Sequence, residues 1–418
     1  MAGSNVTDAA AAPRPDGSHP AGGGLPTSGP GASGRGAERA AVLALAMSAF
    51  VLNLNTNVMG ALLPFLGGEF DLSQGADSRL LAAAGIGSAV GSFVVADVSR
   101  WMGRRTVLLI GLGLFGAASL GHLFVDGYGL LYALRVLSGL ASGLSYAAAS
   151  AAAADIAPYE RRGAVMGRFN AGMFLAIPVG MPLTVWLAAN GNWPAIFAVQ
   201  AGVGLLGFVL SWRSVPPLPK TPAARRLPLL RDAGVVAVLL ATMLHVGSFF
   251  VVVQLSTSWL DEAGLVAKEQ QIWLWIGLGA LSVVGSAAFG KLSDALGKRR
   301  FVLITSAVLV GCFAALAAMP GPVGLLVVGA LLALAAAART GPLQALVSGL
   351  VSSEQLGALM GLRGFCMQLG VALFATVSAS VSASLGFQGV LLFGAGCQLV
   401  SLLSIWFGVH EPAARQDS

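Results

Sequence analysis

Long apolar runs alternate with short polar segments over most of this sequence. Each run has about the 20 residues that a helix needs to cross the hydrocarbon core of a bilayer. Backbone polar groups inside lipid must be paired within their own segment, so each run predicts a helix. The twelve predicted spans are residues 41–66, 79–99, 106–125, 129–154, 164–189, 193–213, 233–259, 270–290, 301–319, 321–349, 358–382 and 387–409.

The predicted spans fall into two sets of six, separated by a basic, proline-rich segment at 214–232. We therefore expect an N-terminal half at 39–213 and a C-terminal half at 233–410. Residues 1–38 are rich in Gly, Ala, Pro and Ser without an apolar period, which predicts a disordered tail. Residues 411–418 are predicted to form a short C-terminal tail.

Two short motifs recur at one constant separation. Residues 290–300 repeat the pattern of 96–105, and residues 357–361 (Gly-Ala-Leu-Met-Gly) repeat that of 163–167 (Gly-Ala-Val-Met-Gly), each after 194 positions. A constant offset without gaps indicates a duplicated half, and a duplicated apolar chain is typical of secondary transporters. The sequence therefore predicts an all-α integral membrane protein with twelve transmembrane helices in two pseudo-symmetric six-helix halves.

Composition and charge support this prediction. Hydrophobic residues make up 56% of the chain and charged residues only 10%, compared with about 25% charged residues in soluble domains. The net charge of +6 does not indicate nucleic-acid binding, because the cations follow the connections between spans. We expect a multi-pass plasma-membrane protein with both termini in the cytoplasm, since Lys and Arg mark cytoplasmic loops.

The two sides of the predicted membrane protein differ strongly in cations. Only Arg79 and Lys268 fall on one side. The other side carries Arg100, Arg104, Arg105, Arg161, Arg162, Arg168, Arg213, Lys220, Arg225, Arg226, Arg231, Lys291, Lys298, Arg299 and Arg300. The three cysteines lie inside apolar runs without metal-ligand spacing, so neither a metal nor a cofactor is predicted.

The segment Gly-Lys-Leu-Ser-Asp-Ala-Leu-Gly-Lys-Arg-Arg at 290–300 resembles the loop signature of the major facilitator superfamily. The resemblance covers about residues 40–410 and extends to Arg135 and Gly139 in the fourth span. The fifth span is similar to the Gly/Pro-rich motif of exporters in that family. The resemblance points to the drug and metabolite efflux branch. It implies a hinge formed by Gly172, Pro178, Gly180 and Pro182.

The same resemblance implies that the loop signature is a latch between the halves in the outward-facing state. Asp294 would then face the positive start of the fifth span near Gly163. Gly297 would make the turn, and Arg299 would pair with Glu354. The predicted latch residues are Arg100, Gly103, Arg104, Arg105, Asp155, Gly290, Asp294, Gly297, Lys298, Arg299 and Glu354.

The first copy of the signature departs from the pattern, because Ala96 and Arg100 occupy the positions of Gly290 and Asp294. Asp97, about one turn earlier, is a candidate to compensate, and Arg104 or Arg105 is expected to pair with Asp155. An alternative remains open in which Arg100 only adds positive charge inside the cell.

Polar and ionisable residues within membrane spans are costly and therefore candidates for function. We predict a substrate cavity formed by Asn53, Asn57, Arg135, His245, Gln254, Arg339, Arg363 and Gln368. His245 and Asp97 are the candidates for proton coupling. No Asp or Glu lies at the middle of a span, which disfavours cationic substrates and favours anionic or neutral ones.

Each of these assignments has a structural alternative. Arg135 can pair with carbonyl groups and asparagines of the first span. Arg363 can extend towards the cytoplasm, and His245 can be a packed, hydrogen-bonded side chain. Asn53 and Asn57 lie on one helix face and can hold helices together instead of binding a ligand.

The sequence thus predicts a monomeric secondary active transporter that moves a small organic molecule by alternating access, with efflux coupled to protons. An uptake permease of the same fold is the alternative. A polytopic membrane enzyme is less favoured, because the sequence offers no nucleophile, carboxylate pair or metal-ligand set on its short loops. A sensor or scaffold without transport activity is the third reading.

Overall fold

The structure, a computed structural model, describes residues 32–66, 76–217, 226–262, 268–318 and 321–410. Twelve helices within these ranges are long and apolar enough to cross a membrane. We number them α1 to α12 in chain order. The first six are α1 (Ala32–Leu66), α2 (Ala76–Met102), α3 (Arg104–Gly121), α4 (Tyr128–Ile156), α5 (Arg162–Leu175, Ala176–Gly180 and Met181–Ala189) and α6 (Ala195–Ser214).

The second six helices begin after a four-residue helix, Arg226–Leu229, in the connecting segment. Gly386, with φ 62° and ψ −169°, interrupts a long helix that contains the last two spans. The second six are α7 (Ala233–Glu262), α8 (Lys268–Leu296), α9 (Lys298–Ala317), α10 (Pro322–Gly349), α11 (Gln355–Phe374) and α12 (Ser384–Gly408). The predicted fold class is confirmed.

The start of α1 differs from the prediction. The helix begins at Ala32, so the last residues of the predicted disordered tail are helical. Glu38 accepts a hydrogen bond from Arg161 at 2.8 Å, and this ion pair ties the extended helix to the connection between α4 and α5. The rest of both tails, residues 1–31 and 411–418, lies outside the described residues.

The repeated loop signature lies mostly on helices. Residues 290–296 form the last turns of α8, and Gly297 alone separates α8 from α9. Gly297 has φ 87°, and its counterpart Gly103, between α2 and α3, has φ 80°. Glycine adopts these positive φ values without a steric cost, so a single residue suffices for each reversal.

The internal repeat is visible in matched contacts. Arg105 donates to the carbonyl of Trp212, and Arg299, 194 residues later, donates to that of Trp406 at 2.6 Å. Gln344 donates to Ser150, and these two residues occupy equivalent positions in the two halves, 194 residues apart. The halves meet along two related interfaces, α5 with α8 and α2 with α11. We call these the 5–8 seam and the 2–11 seam.

One end of the bundle contains the start of α1, the end of α12 and most of the cations. We call it the basic end and the other the opposite end. The connections at the basic end follow α2, α4, α6, α8 and α10. This arrangement follows from an even number of spans, which returns the chain to the side where it began.

The fifth span has a wider turn in its middle. Ala176–Gly180 is π-helical, and this segment includes Pro178, whose ring cannot donate a backbone hydrogen bond. A Cβ on Gly180 would lie 2.5 Å from Leu54 of α1, and one on Gly279 of α8 would lie 2.7 Å from Pro178. The widened turn is therefore packed between the two halves.

Candidate functional site

The 5–8 seam is joined at the basic end by one carboxylate. Asp294, near the end of α8, accepts hydrogen bonds from the backbone N–H groups of Gly163 at 3.0 Å and Ala164 at 2.9 Å. Both donors belong to the first turn of α5, where the helix dipole favours a negative charge. Lys298 lies 3.0 Å from Asp294 and 4.3 Å from the Tyr159 ring centroid. A carboxylate of the C-terminal half thus binds the N-terminal half at this end of the seam.

Small residues allow the two helices of this seam to approach closely. A Cβ on Gly290 would lie 2.5 Å from the carbonyl oxygen of Gly163, and one on Gly167 would lie 2.4 Å from that of Ser286. Ser286 also donates to the carbonyl of Gly167 at 2.9 Å. The short hydrogen bonds of Asp294 therefore depend on glycine at both faces of the seam.

The 2–11 seam has a different arrangement at the same level. Arg100 takes the position equivalent to Asp294, is exposed, and lies 4.7 Å from the Trp101 ring centroid. Arg104 pairs with Asp155, as one of the two predicted options had it, while Arg105 donates to the carbonyl of Trp212 instead. Both contacts stay within the N-terminal half.

Arg299, which the sequence predicts to pair with Glu354, contacts the end of α12, and the pairing itself stays a prediction. Arg299 donates to the carbonyl groups of Trp406 at 2.6 Å and Val409 at 2.5 Å, at the end of α12. These carbonyls lack partners within the helix and carry partial negative charge, which a guanidinium satisfies. The side chain of Glu354 lies outside those that the structure describes.

A second set of polar contacts joins the halves deeper in the bundle. Asn170 of α5 donates to Gln344 of α10 at 2.8 Å, and Gln344 donates to Ser150 of α4. Nearer the basic end, Arg162 donates to Ser348 at 3.3 Å. These contacts close the space between the halves towards the basic end.

A polar face of α1 lies against α5, where we expect it to border a central space between the halves. Asn53, Thr56 and Asn57 follow the spacing of one helix face, and none of the three is fully buried. Asn53 donates to the carbonyl of Met173 at 2.9 Å, and Asn57 donates to that of Asn53 at 2.8 Å. Among the described residues, no hydrogen bond reaches the side-chain oxygen of either asparagine.

Arg363 of α11 reaches across the halves to α4. Its guanidinium interacts with the hydroxyl of Tyr146, and the side chain is only 4% exposed. Tyr146 also contacts Asn170 at 3.3 Å and the sulfur of Met173 at 3.4 Å. Tyr146 thus lies between Arg363 and Met173, whose carbonyl accepts the hydrogen bond of Asn53.

Arg135 lies within the N-terminal half. It donates to the side-chain oxygen of Asn55 at 2.8 Å and to the Asn55 carbonyl at 2.9 Å, and it is fully buried. Asn55 in turn donates to Ser142 at 3.1 Å. Asn55 points away from Asn53 and Asn57, so the structural alternative describes the observed contacts of Arg135.

Arg339 and His245 lie inside the C-terminal half. Arg339 donates to Ser306 at 2.8 Å and to Ser401 at 2.9 Å, on α9 and α12. His245 lies 3.0 Å from the side-chain oxygen of Gln398. Both side chains are buried between helices, which matches the packed alternative for His245. Their participation in transport stays a prediction.

Three other predicted residues, Asp97, Gln254 and Gln368, are not connected to the polar face of α1 by any described contact. Asp97 is exposed near the basic end, and Gln368 is half-buried with its amide 3.9 Å from a Cβ built on Gly85 of α2. The side chain of Gln254 lies outside those described. In the predicted hinge, Gly172 packs against α1, since a Cβ there would lie 2.2 Å from the carbonyl oxygen of Ala46.

An apolar cavity of about 150 Å³ adjoins this polar region on the side of the opposite end. Phe174 and Ile177 of α5 form part of its wall, directly after Met173. Aromatic residues of the C-terminal half complete it, and they include Phe249, Trp259, Trp275 and Phe387. A ligand of the central space would therefore meet polar groups at one side and rings at the other.

Sequence reasoning missed Tyr146, Asn170 and Gln344. It named the asparagines of the first span as possible partners of Arg135, and the structure identifies Asn55 as that partner. Gln344 carried a usable signal, since it is the counterpart of Ser150 under the 194-residue offset. Asn170 and Tyr146 carried only the general signal of a polar group within a span.

Twelve helices, two related halves and a central space with few polar groups define a membrane transport protein. Residues 45–322 and 233–418 match the family model described as Major Facilitator Superfamily. The chain belongs to the Major Facilitator Superfamily, and it is a multi-pass membrane transporter of small molecules.

Two known bacterial proteins are similar to this chain in sequence. The inner membrane transport protein YdhP of Escherichia coli (strain K12) is 26% identical over 88% of this chain and 96% of its own length. A chloramphenicol resistance protein of Streptomyces lividans is 27% identical over 60% of this chain and 66% of its own length.

A solved structure extends the comparison to the fold. The structure of the proton:xylose symporter XylE, bound to 6-bromo-6-deoxy-D-glucose, superposes with a TM-score of 0.78 at 16% sequence identity. The match covers 91% of this chain and 98% of that one. At this identity the likeness concerns the fold alone.

Proposed function

We propose that this protein is a secondary active transporter that exports small amphipathic organic anions, or neutral hydrogen-bonding molecules of similar shape, by alternating access. The interaction of Arg363 with Tyr146 carries this proposal. Arg363 is a buried guanidinium of the C-terminal half, and its partner Tyr146 belongs to α4 of the N-terminal half. The Arg135 and Arg339 guanidinium groups also have neutral hydrogen-bond partners instead of carboxylates.

A buried Arg363 guanidinium favours an anionic substrate for an electrostatic reason. A buried cation is costly unless an anion or several hydrogen bonds compensate it. A carboxylate, sulfonate or phosphate of the substrate would supply that charge to Arg363 through charge-assisted hydrogen bonds. Asn53 and Asn57 would orient the polar part of the substrate, and the apolar cavity would accept its hydrophobic part.

We propose that the basic end faces the cytoplasm, so that both termini are cytoplasmic, because positive charges mark cytoplasmic loops. The contacts of Asp294, Asn170 and Gln344 then close the inner side. In this orientation the described state corresponds to access from outside. Breaking these contacts would open the inner side, as one half rocks against the other.

We propose that the direction of transport is efflux and that it is coupled to protons. The name of the Streptomyces lividans relative, a chloramphenicol resistance protein, supports export. His245 is the candidate proton carrier within the spans. Its Nδ1 faces the Gln398 oxygen, so that Nε2 is the nitrogen left to take up a proton. Uptake by the same machinery remains the alternative direction.

The test is a panel of aromatic carboxylates, neutral antibiotics and cationic dyes in an efflux-deficient host that expresses this chain. We expect lower accumulation of the carboxylates, and a loss of at least tenfold in apparent affinity for them in Arg363→Gln, with partial recovery in Arg363→Lys. Arg300→Gln, which removes an exposed cation at the basic end, is the matched control. Preferential export of the cationic dyes, with Arg363→Gln like the parent, would refute the substrate class.

A further inference from the structure

A small basic pocket lies at the basic end of the 5–8 seam, outside the central space. It has a volume of about 350 Å³ and is bordered by both halves. Arg161 comes from the turn Tyr159–Arg161, directly before α5, and Arg168 comes from α5 itself. Helix α8 supplies Lys291 and Asp294. The pocket therefore lies where the halves separate during alternating access.

The charges of this pocket do not cancel. Arg161 pairs with Glu38 at 2.8 Å, and Asp294 is compensated by Lys298 and by two backbone N–H groups. Arg168 and Lys291 are exposed and form neither an ion pair nor a hydrogen bond with any side chain that the structure describes. About two positive charges thus remain for an anionic ligand.

The position of Arg168 indicates the source of that anion. It lies six residues into α5 and not in the loop, where we expect a membrane helix to enter the headgroup region. Long basic side chains at this depth extend towards lipid phosphates. A water-soluble anion would find a more accessible set of cations on the connections of the basic end.

The internal repeat supplies a built-in comparison. At the 2–11 seam the positions equivalent to Arg161, Arg168 and Lys291 hold Gln355, Leu362 and Asp97. Arg100 of the 2–11 seam occupies the position equivalent to Asp294 of the 5–8 seam. That seam offers one acid and one base and no concentration of positive charge, so only one of the two related positions suits an anion.

We propose that the pocket of Arg161, Arg168, Lys291 and Asp294 binds the phosphate of one anionic phospholipid. The headgroup would contact Arg168 on the N-terminal half and Lys291 on the C-terminal half together. Binding therefore favours the state in which the basic end is closed. This ligand is separate from the transported substrate, and its binding does not depend on the substrate class or direction proposed above.

Native mass spectrometry of the full chain in detergent tests this proposal, with titration of phosphatidylglycerol and phosphatidylcholine. We expect one tightly held phosphatidylglycerol per protein and weaker phosphatidylcholine binding. The Arg168→Gln/Lys291→Gln variant should lose roughly fivefold in affinity for each cation removed, as cations near a lipid surface do. The matched control, Arg213→Gln/Arg300→Gln, removes two other exposed cations from the basic end and should bind like the parent.

Two further measurements keep the proposal falsifiable. The thermal unfolding midpoint of the double variant in phosphatidylcholine shows whether it is folded, and it should equal that of the control. Inorganic phosphate at millimolar concentration should leave the bound phosphatidylglycerol in place. Equal binding of both lipids, equal losses in the two double variants, or displacement by phosphate would each overturn the assignment to an anionic phospholipid.

Discussion

At the scale of single residues, the buried guanidinium groups differ by the partners that surround them. Arg135 is held by both oxygens of Asn55, within one half. Among the described side chains, Arg363 instead meets one hydroxyl, that of Tyr146 on the other half. A guanidinium with two strong local acceptors is suited to holding helices together, whereas one with a single exchangeable partner is suited to binding a ligand.

This difference predicts opposite effects for two neighbouring asparagines. Asn55→Leu removes the acceptor of a buried cation and should lower stability by about 3 kcal/mol, seen as a lower thermal unfolding midpoint in detergent. Asn57→Leu should leave that midpoint nearly unchanged and weaken transport, because its side chain borders the central space. If the two variants have the same midpoint, Arg135 does not depend on Asn55.

At the scale of helices, close approach of α5 and α8 decides whether the basic end closes. Gly290→Ala introduces the residue that the first copy of the loop signature has at the equivalent position, Ala96. The new Cβ at position 290 would lie 2.5 Å from the Gly163 carbonyl oxygen. Overpacking of this kind costs about 1–3 kcal/mol. We expect α5 and α8 to separate at this end and transport to slow several-fold.

Gly277→Ala is the control for this prediction, because it changes the same helix at a position where a Cβ meets nothing within 4 Å. Cysteine cross-linking between the basic ends of α5 and α8 measures the separation. A cross-linking yield in Gly290→Ala equal to that in Gly277→Ala would show that the seam tolerates the extra methyl group.

Helix positions were predictable from sequence because lipid demands long apolar runs, and all twelve spans were found. Gly103 and Gly297 were also predictable as turns, since positive φ leaves glycine as the natural choice. The start of α1 was not predictable, because Ala32–Glu38 is stabilised by the distant Arg161 and not by an apolar period. The contacts of Arg299 with two backbone carbonyls were not predictable either, because carbonyls at a helix end leave no sequence signal.

At the scale of the whole molecule, the two halves are related by sequence but fastened unequally. In the 5–8 seam, Asp294 of α8 binds the first turn of α5. In the 2–11 seam, the position equivalent to Asp294 is Arg100. Opening of the basic end should therefore depend mainly on the 5–8 seam. The two seams need not separate by the same distance in each transport cycle.

Asp294→Asn tests this asymmetry. The amide keeps the shape but loses the negative charge at the helix start, and a hydrogen bond to a charged group contributes about 1.5–3 kcal/mol. Spin labels at the basic ends of the two halves should report a larger population with that end open. Asp126→Asn, at the opposite end, is the control and should leave the distances unchanged, and identical distributions in both variants would remove Asp294 from the latch.

Counterflow in proteoliposomes tests the central claim, that this chain carries small organic anions by alternating access. Vesicles loaded with an unlabelled aromatic carboxylate from the panel are diluted into a trace of the labelled compound. The account predicts transient accumulation of label above equilibrium, abolished by Arg363→Gln and altered by a pH gradient. Label that only equilibrates, or that accumulates equally in Arg363→Gln, would contradict it.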